Sequence, residues 1–146
     1  MRPFFLLAAS VPFASTAFAQ NDECTSATAV TAGSFMFDTS TATQSPEFWP
    51  CAGNGGPDLW YSITAPSNGQ ITIATCGSTY DTALEAFDGV CGSLTSLVCN
   101  DDACGLQSSI TFSANAGSTY FFRIGGWNGS SGSGVCLVND GTPVIN

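Results

Sequence analysis

Apolar and polar positions alternate along this chain in short runs, and Gly, Pro, Asn and Ser separate the runs. Gln70-Ile71-Thr72-Ile73-Ala74-Thr75 puts Ile71 and Ile73 on one face and Thr72 on the other, the period-two pattern of a half-buried strand. Ser109-Ile110-Thr111-Phe112 repeats it. Similar runs predict strands over 34–38, 59–64, 82–87, 96–99, 119–124 and 135–138. Residues 39–43 continue the first strand or begin its neighbour. The turn Ser67-Asn68-Gly69 reads as a hairpin between the 59–64 and 70–75 strands. Residues 48–57 read as a loop, because Pro and Gly break a strand ladder. Residues 21–32 are polar and are expected along an edge. The sum is about eight strands with turns at sandwich spacing, an all-β antiparallel β-sandwich. Its expected core includes Phe35, Phe37, Trp60, Ile71, Ile73, Leu84, Phe112, Phe121 and Ile124.

The first residues do not fit that pattern. Met1 and Arg2 precede the apolar run Phe4-Phe5-Leu6-Leu7-Ala8-Ala9, and Ala17-Phe18-Ala19 follows. A charged start, a short apolar stretch and a small-x-small triplet predict a signal peptide over 1–19, cleaved after Ala19. Pro12 interrupts the run, and a membrane span needs about 20 apolar residues. The expectation is a secreted protein, not held in a membrane after cleavage, with a single domain over 20–146.

Charge then narrows the partners. The chain has 11 acidic residues, 2 basic ones and a net charge of −9. Loss of Arg2 leaves Arg123 as the one basic side chain. Phosphate backbones and anionic lipids are held by Lys and Arg, so nucleic acid and membrane surfaces are excluded as partners. With no His and no Lys, Ser-His-Asp, Cys-His and Ser-Lys machinery is also absent. A paired-carboxylate hydrolase survives on paper, with Glu85 and Asp101 as the pair. The main expectation is a protein that is not an enzyme.

Seven cysteines in an exported chain point to disulfides. Spacing alone leaves the connectivity open. The preferred pairing is local: Cys24 with Cys51, Cys76 with Cys91, and Cys99 with Cys104. Cys136 is left over, either buried and free, paired to another chain, or displacing one of those assignments.

Three further features are candidate sites. Asn100-Asp101-Asp102 packs oxygen side chains into one turn, and Asp81 and Asp88 bracket a predicted strand. Calcium takes six to eight oxygens, so Asp81, Asp101 and Asp102, with Asp88 or Asn100 assisting, form a candidate structural calcium site. Turn formation by Asp and Asn explains the same residues without an ion. Trp49 and Trp127 lie in loops and are candidate platforms for sugar rings; capping of the core ends is the alternative. Arg123 is expected to pair with an acid on a neighbouring strand. Asn128-Gly129-Ser130 fits a glycosylation sequon.

From Asp58 onward the order of motifs resembles a known family. Asp58-Leu59-Trp60-Tyr61-Ser62-Ile63-Thr64-Ala65-Pro66 comes first. Thr75-Cys76-Gly77-Ser78-Thr79-Tyr80-Asp81-Thr82-Ala83-Leu84 follows, then Asp88-Gly89-Val90-Cys91 and Cys99-Asn100-Asp101-Asp102. Ala116-Gly117-Ser118-Thr119-Tyr120-Phe121-Phe122-Arg123-Ile124-Gly125-Gly126 closes the match. The set, with Asn21-Asp22-Glu23-Cys24 at the start, is similar to bacterial pre-peptidase C-terminal-like domains of the Cys-rich secreted branch. The resemblance implies a jelly-roll-like β-sandwich and a non-catalytic accessory or adhesive role toward an extracellular protein or polysaccharide, sometimes with calcium. A carbohydrate-binding module using Trp49 and Trp127 is the second reading, and the carboxylate hydrolase the third.

Overall fold

The structure is a computed structural model that describes residues 21–142. The signal-peptide expectation for 1–19 lies outside the described residues. Within them the chain forms nine strands and two single turns of 3-10 helix, Cys24–Ser26 and Trp127–Gly129. The strands are β1 (Thr28–Val30), β2 (Gly33–Asp38), β3 (Leu59–Thr64), β4 (Gly69–Ala74), β5 (Thr82–Val90), β6 (Ser93–Asn100), β7 (Ser109–Ala114), β8 (Thr119–Gly126) and β9 (Ser133–Asn139). They build two sheets, one in the order β1-β3-β8-β5-β6 and the other β2-β9-β4-β7. The all-β sandwich is as expected, with the short β1 as the added element. β1 runs parallel to β3, and every other pairing is antiparallel.

Alternation fills the space between the sheets. Leu59, Tyr61 and Ile63 of β3 and Tyr120, Phe122 and Ile124 of β8 point inward from the larger sheet. Ile71 and Ile73 of β4, Ile110 and Phe112 of β7, and Cys136 and Val138 of β9 meet them from the smaller one. Phe35 packs at the margin, with its ring 4.8 Å from that of Tyr61. In the run Tyr120-Phe121-Phe122 it is Phe122 that enters this core. Phe121 faces out, since neighbours on a strand point to opposite faces.

One expected hairpin does not form. β3 pairs with β8 while β4 pairs with β7 and β9, so the 67–69 turn carries the chain from one sheet to the other. Both strands have a face to bury, and a sandwich satisfies each from opposite sides, which local turn chemistry does not reveal. Ala65 marks the crossing: its N–H donates to Ser118 O (2.9 Å) and its carbonyl accepts from Gly117 N (2.8 Å).

The outer face of the larger sheet is covered as well. Trp60 on β3, Arg123 on β8, and Ala83, Glu85 and Phe87 on β5 all lie on that face, and every one of them is buried. Trp60 and Phe87 stack with ring centroids 5.3 Å apart. Large apolar side chains on an outward face need a cover. The N-terminal segment and the loop between β2 and β3 supply it as a partial third layer.

Two of the three disulfides fasten this layer, and the pairing of all three corrects the local one. The bridges are Cys24–Cys91, Cys51–Cys99 and Cys76–Cys104, spanning 67, 48 and 28 residues. The first ties the N-terminal segment to the β5–β6 turn, and the second ties the covering loop to β6. Cys76, Cys91 and Cys104 lie in loops and Cys99 in β6, and the covering layer brings Cys24 and Cys51 from the N-terminal segment and the β2–β3 loop onto the β5–β6 hairpin. Loops of these lengths correspond to about 3.5–4.5 kcal/mol per bridge in the chain-entropy picture. Cys136 is the buried free cysteine, and burial pushes its thiol up to about 12. Intact-mass measurement after treatment with iodoacetamide should therefore show no adduct on the native protein. It should show one adduct on the unreduced, denatured protein. An adduct on the native chain would refute this placement of Cys136.

Candidate functional site

Arg123 is the largest buried polar side chain, and its position on β8 dictates its surroundings. It projects from the outer face between inward-facing Phe122 and Ile124. Its register partners are Trp60 on β3 and Glu85 on β5. The guanidinium Nε and Nη2 donate to Glu85 Oε2 at 3.1 and 2.7 Å. Nη1 donates to Glu47 O at 3.2 Å and Nη2 to Phe48 O at 2.9 Å. Asp58 Oδ2 lies 3.8 Å from Nη1. The Trp49 ring covers the cation with its centroid 4.1 Å from Cζ, a stacking that favours Arg in a dry site. The expected pairing of Arg123 with an acid on a neighbouring strand is present.

This cluster corrects the role given to Trp49. Its side chain is 4% exposed, so it has no free face for a sugar. Gly125 makes its seat: a Cβ there would stand 2.6 Å from the indole and 2.9 Å from Asp58 Cβ. The neighbouring residue takes the exposed position instead. Phe48 is 83% exposed, although the chain on both sides of it is fixed. Glu47 and Phe48 carbonyls are held by Arg123, Trp49 is buried, and Cys51 is bridged to β6.

Phe48 forms a ridge between two depressions. One, of about 380 Å³, is lined by Glu47, Glu85, Phe87, Leu94, Ser93 and Ser96. The other, of about 510 Å³, is lined by Gln44, Glu47, Trp49, Gly53 and Asn54. Gln44 Nε2 donates to Asn54 O at 2.6 Å, and Asn54 Nδ2 donates to Asn128 Oδ1 at 3.0 Å. Trp127, 39% exposed, packs against Gly53 behind this second depression. The groove thus offers one rigid aromatic face flanked by the Glu47 carboxylate, hydroxyls and amides. Asn128 of the sequon sits in the same turn with φ 49°.

The paired-carboxylate arrangement is not built. Glu85 is 1% exposed, with Oε2 bonded to Arg123 and Oε1 accepting from Ser96 Oγ at 2.6 Å. Both of its oxygens are thus taken up by protein partners.

The five candidate calcium ligands do not converge. Asp88 is exposed near the far end of β5, seven residues from Asp81, or about 23 Å along a strand, and its Oδ1 accepts from Gly89 N. Asn100 Oδ1 accepts from Ser109 N at 3.2 Å and so serves the start of β7. Asp81, Asp101 and Asp102 do lie in one neighbourhood. Burial raises the Asp81 carboxyl above its usual range, and the charges of Asp102 and Asp101 raise it further. Its Oδ1 has no hydrogen-bond partner. Among the described residues, no three Asp, Glu, Cys or His side chains stand close enough to hold a metal together.

A family model described as Galactose binding domain-like, of a T9SS-associated group, matches residues 20–134. No curated protein matches the chain. Among solved structures, the pre-peptidase C-terminal domain of a collagenase from Bacillus anthracis is similar, with a TM-score of 0.54 and 12% identity over 77% of this chain and 94% of that one. That likeness supports, at the level of fold, the resemblance read from the motif order. The CBM36-1 domain of a multidomain xylanase from the hindgut metagenome of Trinervitermes trinervoides has a TM-score of 0.41 and 8% identity, over 77% of this chain and all of that one.

Asp58 makes the cluster sensitive to pH. Burial pushes its carboxyl up to about 6, against hydrogen bonds from Ser45 and the more distant charge of Arg123, which lower it. Glu47 adds repulsion. A folded-state pKa above the unfolded value of 3.8 means that the folded protein holds the proton more tightly. The resulting stability is fully present below pH 3.8 and is lost as pH rises through 6, by about 3 kcal/mol at most. Thermal melts should therefore give a lower Tm at pH 7.5 than at pH 5. Asp58→Asn should flatten that slope. An equal slope in the variant would rule Asp58 out as its source.

Proposed function

The chain belongs to the Galactose binding domain-like family, and from that premise we propose that it is an exported, non-catalytic module that binds carbohydrate in the groove around Phe48. The observation that carries the reading is the combination of an 83% exposed phenyl ring with an immobilised backbone. An apolar ring left in water loses the benefit of burial. Its neighbours spend a cation–π contact, a buried ion pair and a disulfide on holding its backbone still. Sugar rings stack on aromatic faces, and their hydroxyls pair with carboxylates, amides and serines such as those on either side of the ridge. Trp127, half-exposed and packed against Gly53 of the second depression, is a candidate second aromatic contact. The T9SS association of the family model and the three disulfides support export. The full engagement of Glu85 supports a role without turnover.

The test is a glycan array followed by titration with the strongest binder. Phe48→Ala should weaken binding at least about tenfold, the scale of one lost aromatic contact of about 1.4 kcal/mol. Its Tm should stay within about 1 °C of the parent, because truncation of an exposed side chain changes stability little. Trp127→Ala should weaken binding less. An array binder unaffected by Phe48→Ala would remove the groove from consideration. Capture of an extracellular protein through Phe48, with no glycan bound, would replace carbohydrate by protein as the partner.

A structural calcium is the second part of the proposal, favoured by the unpartnered Oδ1 of Asp81 beside Asp101 and Asp102. A cation would relieve their mutual repulsion, and main-chain carbonyls and water would complete its shell. The reading requires the turn after β6 to draw Asp101 and Asp102 toward Asp81 on binding. Calorimetry on chelator-treated protein should give heat with millimolar calcium, together with a raised Tm, and Asp81→Asn should abolish both. No heat and no Tm shift in the parent protein would end the calcium reading.

A further inference from the structure

We infer that the Phe48 groove accepts glycans that carry no anionic groups, neutral or amine-bearing, and rejects uronic and sulfated ones. The inference rests on the carbohydrate reading of the groove and adds the charge class of its ligand.

The position of the one cation decides this. Arg123 is fully buried, and its donors are engaged by Glu85, Glu47 O and Phe48 O. It cannot turn toward a ligand without releasing the loop that presents Phe48. The described residues contain no other Lys or Arg and no His. No side chain of theirs can therefore place a positive charge against a carboxylate or sulfate at the ridge.

The groove instead supplies a carboxylate and neutral groups that both donate and accept. Glu47 lines both depressions, directly beside Phe48 in the chain, and its side chain is exposed. The first depression adds the hydroxyls of Ser93 and Ser96, and the second the amides of Gln44 and Asn54. Hydroxyls of a neutral sugar can donate to all of these. A ring ammonium would make a charge-assisted hydrogen bond with Glu47, about twice as strong as a neutral one. An anionic ring stacked on Phe48 would bring its charge next to Glu47 with nothing to offset it. Charges closer than about 8 Å still repel at physiological salt, and added salt weakens that repulsion. The wider field has the same sign, with 11 acidic residues against 2 basic ones.

Three hexasaccharides of equal length test the inference by titration calorimetry: N-acetylated chitohexaose, its fully deacetylated form with protonated amines, and an alginate hexamer. The deacetylated probe should bind at least about threefold tighter than the acetylated one, with the difference shrinking as salt is added. Alginate should bind more than about tenfold weaker than the better of the two. Glu47→Gln should weaken the deacetylated probe more than the acetylated one and so remove its advantage, while Phe48→Ala should weaken both. Alginate binding within threefold of the better probe overturns the inference and leaves the carbohydrate reading standing. A deacetylated-probe affinity unmoved by both Glu47→Gln and Phe48→Ala also overturns it, because the attraction would then belong to the net charge and not to the groove. If no probe of any charge binds, the carbohydrate reading itself fails and the inference falls with it.

Discussion

A guanidinium removed from water must find an acceptor for nearly every N–H it carries, and Arg123 finds them on a neighbouring strand and on the covering loop. Glu85 on the adjacent strand supplies the counter-charge, and the carbonyls of Glu47 and Phe48 supply two of the remaining acceptors. Those carbonyls belong to a loop without regular structure. Breaking one side of a buried pair of this kind costs about 3–5 kcal/mol, because the surviving charge is left uncompensated. The loop is therefore bound to the sheet by a penalty larger than most single contacts. Trp49 can then lie flat on Gly125, and Phe48 has no route inward. The covering layer, the exposed ridge and the two depressions all follow from that one desolvated cation.

The same cluster explains why Asp58 is an unusual acid. It stands 3.8 Å from Arg123, too far for a hydrogen bond, and its Oδ2 has no partner. Ser45 N–H donates to Oδ1 at 2.7 Å, and Trp60 Nε1–H donates to Ser45 Oγ at 2.8 Å. Asp58 thus anchors the start of the covering loop through Ser45 while Arg123 anchors its middle. The cost of desolvation exceeds what the distant cation returns, which is why its carboxyl titrates high. Glu85 takes the short contacts of the guanidinium, and Asp58 has only the long one.

Much of the sandwich was legible because period-two alternation is a local signal. Ile71 with Ile73, and Ile110 with Phe112, face the core as their spacing predicts. What was not legible depended on how strands are distributed between sheets. The Asn68-Gly69 turn carries hairpin chemistry but joins opposite sheets, and no local residue distinguishes the two uses. The cysteines failed in the same way: Cys99 is five residues from Cys104, yet it reaches Cys51 in the layer above. Glu85 and Arg123 could be expected to pair from their strands, but not that a loop would bury them. Trp49 was open to two readings, a platform for sugar rings or a cap on the core, and Phe48 beside it carried no signal of its own. The cation on β8 decided between them, because the indole offers the better π-face to a buried guanidinium.

Rigidity is the link between this architecture and binding. A flexible loop that closes on a ligand must lose backbone freedom as it binds, about 1–2 kcal/mol for each residue fixed. Here that loss was taken during folding, and the Arg123 cluster and the Cys51–Cys99 bridge offset it. A ligand then meets a surface already in its bound shape, so a modest contact area can yield useful affinity. The arrangement also restricts what the groove can become. Arg123 is held beneath the loop, so a carboxylate, hydroxyls and amides are the polar groups left at the rim. Substitutions in the depressions could alter which hydroxyls are read, but converting the site to anionic ligands would require a new basic side chain on the surface.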